Sequence, residues 1–368
     1  MTDPMPMMAA EEATVADRAK TPRRVGKRAD RRSGRAAVFL LKQLGVYVVT
    51  GFLALVLNFV IPRFMPGDPA LQLADRLRQQ TGQSPSPDVM AKIDALYGDP
   101  HKNLVAQFVD YVDHVVHFDF GLSISQYPTP VKDLVWQALP WTVALVGTTT
   151  VIAWLIGTAL GAWTGWRPGR AVDSGLTSLS TFLHAVPAFW FALLMLSLFS
   201  FRLGWFPSSG GYDPSVPYSL GNLWFVLSIL KYSFLPAMAL IVLGFSTWQF
   251  TMRNVMVTTI AEDYVQFARA KGLSERRVMF GYAARNAMLP NITGLAHALG
   301  GVIGGVVLVE TVFTYPGMGY LLTQGVAAKD FPLMQAIFFM LVFAVLVSNF
   351  VADAVYVLLD PRTGQEQS

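Results

Sequence analysis

The 368-residue chain is 53% hydrophobic and only 14% charged, against about 25% charged in soluble globular proteins, which reads as a polytopic membrane protein. Its net charge of +4 and pI near 9.2 come from basic residues in an N-terminal tail and in loops beside apolar runs, so membrane topology explains them without nucleic acid. The absence of cysteine excludes disulfides, thiolate metal sites and cysteine nucleophiles together.

Residues 1–36 form a basic tail with Arg23, Arg24, Lys27, Arg28, Arg31, Arg32 and Arg35 just before the first apolar run. Such charges hold a span's start in the cytoplasm. The first transmembrane helix is expected at 37–62, with an apolar run from Ala37 to Ile61, longer than the about 20 residues a crossing needs. Residues 63–139 form an acidic, external loop region. Within it Phe108, Val112 and Val115, with Val109 and Val116, make a helix-period stripe that folds against the membrane domain.

Residues 140–359 are expected to be a five-helix transmembrane core, and 360–368 a cytoplasmic C-terminal tail. The second span runs from Pro140 to Trp163 and carries Gly157 and Gly161 at GxxxG spacing. The third, Thr177 to Phe201, contains His184, read as a helix-packing histidine, and Pro187, read as a kink that is structural or part of a gate. After an external loop from Leu203 to Lys231 come the fourth span, Ser233 to Met252, the fifth, Asn291 to Val312, and the sixth, Phe331 to Leu359. Loop charge then places both termini inside.

Between the fourth and fifth spans lies a charged cytosolic loop, 257–290, whose core from Glu262 to Pro290 reads helix, break, helix. Tyr264, Phe267, Ala268 and Lys271 fall on one helical face, and Gly272 suits a left-handed helix end. Ser274 is placed to cap a second helix, with Glu275 in its first turn and Val278, Tyr282 and Leu289 along one face. Pro290 marks the turn into the next span. Two short helices on a cytosolic loop suit a grip by another protein.

Two acidic residues, Glu310 and Asp353, lie within spans, where each needs a partner or a water-filled cavity. Asp353, with Asn349 one turn away, reads as structural. Glu310 is either an interhelical bond or a part of the external gate. No P-loop, zinc-protease or nucleophile-elbow motif occurs, and the five histidines are scattered. The chain therefore shows no catalytic pair, no cofactor site and no metal site of its own.

The chain resembles the inner-membrane permease subunit of an ABC importer, in the dipeptide/oligopeptide/nickel branch. The matching segments are Pro66-Gly67-Asp68-Pro69-Ala70, Phe120-Gly121-Leu122-Ser123 and Leu203-Gly204-Trp205-Phe206-Pro207. Further matches are Glu310-Thr311-Val312-Phe313 with Tyr315-Pro316-Gly317-Met318-Gly319, and the terminal Asn349, Asp353, Tyr356, Leu359, Asp360, Pro361 and Arg362. The cytosolic loop is similar to the family's EAA loop through Ala268-Arg269-Ala270-Lys271-Gly272-Leu273-Ser274 and Arg285-Asn286-Ala287, departing from it at Gln266 and Phe267.

The resemblance implies an all-α fold of six transmembrane helices with a folded external loop after the first. It implies docking of an ATPase subunit at Gln266, Ala268, Arg269, Ala270, Lys271, Gly272, Leu273, Ser274, Glu275, Arg276 and Arg277. Two such ATPase subunits, which bind ATP and Mg, a sibling permease, an extracytoplasmic substrate-binding protein and the lipid bilayer are the implied partners. The substrate is expected to be peptide-like, with oligosaccharides or nickel chelates as alternatives for the same machinery. A passive channel or a membrane-embedded enzyme is the alternative of a different class.

Overall fold

The computed structural model describes residues 26–64, 69–82, 86, 87, 90, 103–219, 221–300 and 306–359. The basic residues before 26, the Pro66–Asp68 part of the first matching segment, residues 301–305 of the fifth span and the chain from Asp360 onward lie outside them. Residues 26–46 with 353–359 form one unit, and 47–352 the other.

Among the described residues the secondary structure is helical, apart from one isolated antiparallel bridge between Leu122 and Pro130. The helices are α1 (Gly26–Phe64), α2 (Pro69–Thr81), α3 (Leu104–Val116), α4 (Val131–Trp166), α5 (Ala171–Ala185) and α6 (Ala188–Met195), the last continuing as a wide π turn over Leu196–Arg202. Then follow α7 (Leu223–Ile260), α8 (Asp263–Ala270), α9 (Glu275–Val278), a second π turn over Met279–Ala284, and α10 (Arg285–Ala287). The series ends with α11 (Leu289–Gly300), α12 (Val307–Val312), α13 (Met318–Ala327) and α14 (Phe331–Leu359).

Four of these are long and apolar enough to cross a membrane, over Leu41–Ile61, Val131–Trp166, Leu223–Ile260 and Phe331–Val351. A fifth candidate is the pair α5 and α6, bent by 99°. The straight third span expected from Thr177 to Phe201 is thus replaced by a break. Pro187 forces it: the residue before a proline is driven out of the helical region, and Val186 is extended at φ −82°, ψ 123°. Pro187 itself sits extended at the start of α6, and its carbonyl accepts from Phe191 N at 3.1 Å. His184, expected to pack between helices, is exposed.

The second and fourth spans begin earlier than expected: Pro140 lies inside α4, which starts at Val131, and α7 starts at Leu223 rather than Ser233. Asn222 starts α7 by accepting the amide of Trp224 at 3.0 Å. α4 and α7 form the spine. Gly157, Gly161 and Gly165 let the α7 backbone come against α4: a Cβ on Gly161 would stand 2.5 Å from the Gln249 carbonyl oxygen, and one on Gly165 2.6 Å from Met256 Cβ. Gly157 meets Phe245 and Gly165 meets Arg253, so both numbers rise together and the two helices run parallel. The segment between them therefore carries the chain back to the end from which α4 started.

The later chain runs the other way along α4. Asn291 Nδ2 donates to Thr158 Oγ1 at 3.0 Å, and Glu310 accepts from Thr142 Oγ1 at 2.7 Å. Thr142 and Thr158 are about 24 Å apart at 1.5 Å per residue, so between 291 and 310 the chain moves back along α4 by a little under half of that helix. α14 starts where the expectation put it, at Phe331. α1 lies against it within the larger unit: Asn58 Nδ2 donates to the Gln335 carbonyl at 2.9 Å, and Tyr47 meets Phe350 edge to face. α3 packs its stripe here through Phe108, which contacts Phe52 and Phe59, while Val109 and Val116 stay exposed.

Candidate functional site

The segment from Glu262 to Pro290 folds as two short helical pieces around a left-handed glycine. α8 ends at Lys271, and Gly272 adopts φ +74°, a conformation that costs a side-chain-bearing residue energy. Ser274 then occupies the cap position in extended geometry. Its hydroxyl makes no capping bond, contrary to expectation; the helix starts on backbone alone, with Val278 N donating to the Ser274 carbonyl at 3.0 Å.

One face of this segment is fixed into the spine. Val265 and Ala268 of α8 and Val278, Met279, Ala283, Ala284 and Ala287 pack with Ala162, Trp166, Met252 and Met256. This corrects the expected faces. Tyr264, Phe267, Tyr282 and Leu289 are exposed, and Ala268 is buried and so unavailable to a partner. For the second helix the π turn over Met279–Ala284 is the cause: it adds a residue per turn, so the inward register shifts from Tyr282 to Ala283 and Ala284. The proline is also displaced from its expected role: Leu289 is helical, and Pro290 lies in the first turn of α11, where a missing amide costs nothing.

Four of the expected docking residues, Gln266, Arg269, Lys271 and Glu275, have side-chain partners within the chain. Gln266 Nε2 donates to the Ile260 carbonyl at 2.9 Å, capping the end of α7; a glutamate there could not donate, which gives the departure from the EAA pattern a physical reason. Arg269 lies over the Trp166 ring at 4.9 Å and 3.7 Å from Glu275. Lys271 sits over Phe267 at 4.6 Å. Leu273 is half-buried, and Ala270, Lys271, Gly272, Ser274, Glu275, Arg276 and Arg277 are exposed. With Phe267 and Phe280, 62% and 64% exposed, they make an outer face that is aromatic and basic.

Glu310 lies against the first half of α4, at Thr142. Its carboxylate is fully buried and accepts Thr142 Oγ1 at 2.7 Å, Gly319 N at 2.7 Å and Tyr320 N at 3.3 Å. Thr142 Oγ1 also accepts Met318 N at 2.7 Å, so one hydroxyl joins α4, α12 and α13. Gly317 and Gly319 are needed because the backbone presses on this corner: a Cβ on either would collide with the carboxylate or with Val307. The Glu310 carboxylate thus bonds to both α4 and α13. In the smaller unit Asp353 accepts from Gln43 Nε2 at 2.8 Å. Pro187 is exposed at its break.

Two polar constellations had no sequence signature. Asp330 is buried and accepts Ser123 Oγ at 2.5 Å, Ser125 Oγ at 2.7 Å and Ser125 N at 2.8 Å, while its other oxygen accepts Leu333 N at 3.2 Å to cap α14. Asp173 is held by Arg253 through Nε at 2.5 Å and Nη2 at 2.7 Å. Its nearest sequence signal was an acid just beyond a basic turn, Arg167 to Arg170. Among the described residues no group of acids and histidines is arranged to hold a metal ion.

The family model for the binding-protein-dependent transport system inner membrane component matches residues 157–365, from the glycine ladder of α4 through the two-faced segment to the C-terminus. The chain belongs to this family. It is similar to the oligopeptide transport system permease protein AppB of Bacillus subtilis, at 33% identity over 83% of this chain and 93% of that one. It is also similar to a putative peptide transport system permease of Brucella abortus, at 32% over 88% and 98%. The di/tripeptide transport system permease protein DppB of Pseudomonas aeruginosa is 30% identical over 88% of this chain and 98% of its own. This permease is thus a multi-pass inner-membrane subunit of an ABC importer, and it is not itself an enzyme.

Proposed function

We propose that this permease forms half of the translocation path of an ATP-driven peptide importer. A sibling permease completes the path, two ATPase subunits carrying ATP and Mg drive it, and an extracytoplasmic binding protein supplies the substrate. The observation that carries the reading is the two-faced segment from Glu262 to Pro290. Its inner face is locked into α4 and α7, while Phe267 and Phe280 stand bare beside Lys271, Arg276 and Arg277. Aromatic and arginine side chains exposed together on a rigidly held segment match the composition of a docking site.

On this reading the segment lies in the cytosol, both termini are cytoplasmic and the chain crosses six times. The parallel run of α4 and α7 supports a crossing through the bent pair, and the passage from Asn291 to Glu310 along α4 supports another. Closure of the ATPase pair would displace the outer face, and the buried face would pass that displacement to α4 and α7. The relatives named for oligopeptides and for di/tripeptides support a peptide cargo.

The test is the complete complex in proteoliposomes. Uptake of a labelled oligopeptide that needs ATP and a tagged chain that brings down an ATPase subunit are expected. Uptake of an oligosaccharide or a nickel chelate instead would overturn the cargo. Conduction by the permease without any ATPase would overturn the importer.

A further inference from the structure

The loop of the proposed function lies between the fourth and fifth spans, and its covalent connections give it no direct hold on the bent pair α5 and α6. The Asp173–Arg253 pair supplies one. We infer that this pair is a positioning strut that links movement of the α7 end to α5, and through α5 to the break at Val186–Pro187; the inference rests on the loop-driven reading above.

The geometry is two-sided. Arg253 lies two turns before Ile260, whose carbonyl takes the Gln266 side chain of α8, and beside Gly165, the last of the three glycines at which α7 comes against α4. Asp173 lies in the first turn of α5. It ties the preceding turn to its own helix: Oδ2 accepts Gly169 N at 2.9 Å, and Oδ1 accepts Thr177 Oγ1, one turn further along α5, at 3.4 Å. Gly169 stands at φ +81°, so the turn from α4 into α5 folds back onto the same carboxylate that holds Arg253.

Charge is an uneconomical way to hold two helices together, since a packed apolar pair does as well or better without the desolvation cost. Here Asp173 is 2% exposed and the Arg253 side chain 23%. What the guanidinium fork adds is direction: two parallel bonds fix the rotation of α7 against α5 as well as their distance. A rigid helix held so at its start carries movement to its far end, which for α5 is Val186 and the 99° break.

The test uses the complete complex in proteoliposomes and reads peptide uptake per ATP hydrolysed. A fault of folding or assembly lowers uptake and hydrolysis together and leaves this ratio unchanged. Asp173→Asn keeps the shape and removes the charge. We expect its ratio to fall about tenfold, within the roughly 5–150-fold range of coupling between sites, with basal hydrolysis retained; an unchanged ratio would overturn the inference. Should that variant not assemble, Arg253→Lys decides in the same way, because it keeps the charge and loses the fork. If the unmutated complex showed no ATPase partner, the proposed function would fail and the strut with it. A coupled unmutated complex with insensitive variants would remove the strut alone.

Discussion

The Glu310 corner and the Glu262–Pro290 segment are the two places where motif residues crowd together in this permease, and they are built in opposite senses. At the corner every recognised element turns inward: the carboxylate is fully buried, three donors of the protein bind it, and two glycines exist to let the backbone approach. The segment spends half its side chains on its own helices and leaves the other half bare. Dense motifs therefore mark two different things in one chain, a self-contained joint and a segment with one bare face. Only the direction of the side chains tells them apart.

The comparison breaks if substitutions at the two places behave alike. The largest effect is expected from Glu310→Ala, which leaves Thr142 Oγ1 and the amides of Gly319 and Tyr320 without their acceptor, at about 1–3 kcal/mol for each buried group. The detergent-extracted complex should lose most of its thermal stability, while Glu310→Gln, which keeps an acceptor oxygen, should lose clearly less. Gly161→Leu comes next, since its side chain would enter the Gln249 and Met252 backbone and side chain. Overpacking of this kind costs about 1–3 kcal/mol, readable as a lowered melting temperature.

Gly272→Val sharpens the contrast, because it strains the left-handed joint by about 1–2 kcal/mol and alters the angle between α8 and α9. Substrate-stimulated ATPase activity of the reconstituted complex should fall more than its melting temperature does. The smallest effect on stability is expected from Phe267→Ala with Phe280→Ala, which touches only the bare face. Melting should stay within about 0.5 kcal/mol of the parent, as surface changes do, while co-purification of the ATPase subunit drops.

Much of this was legible in the residues. The last helix runs from Phe331 to Leu359 as its apolar run predicts, and the helix, glycine, helix order of the segment appears with Gly272 left-handed. Errors arose where local pattern competes with a longer-range cause. Pro140 read as a helix start yet lies inside α4, whereas Pro187 read as a kink and makes a full break. The inward face of the segment was displaced because a π turn shifts the period, which no count of three and four residues anticipates. Arg253 and Asp173 are 80 residues apart, and such a pair leaves no spacing in the sequence. Gln266 and Arg269 were read as outward contacts because the motif names residues without saying which way they face.

Because the chain has no cysteine, one introduced cysteine at a time gives the most direct test of the central claim. Phe267→Cys and Phe280→Cys, in a transport-competent complex treated with a short thiol-to-amine cross-linker, are predicted to join to the ATPase subunit, and Ala283→Cys, on the inward face, is predicted not to. Cross-linking from Ala283 equal to that from Phe280, or none from either phenylalanine position while the complex still transports, would contradict the two-faced docking segment.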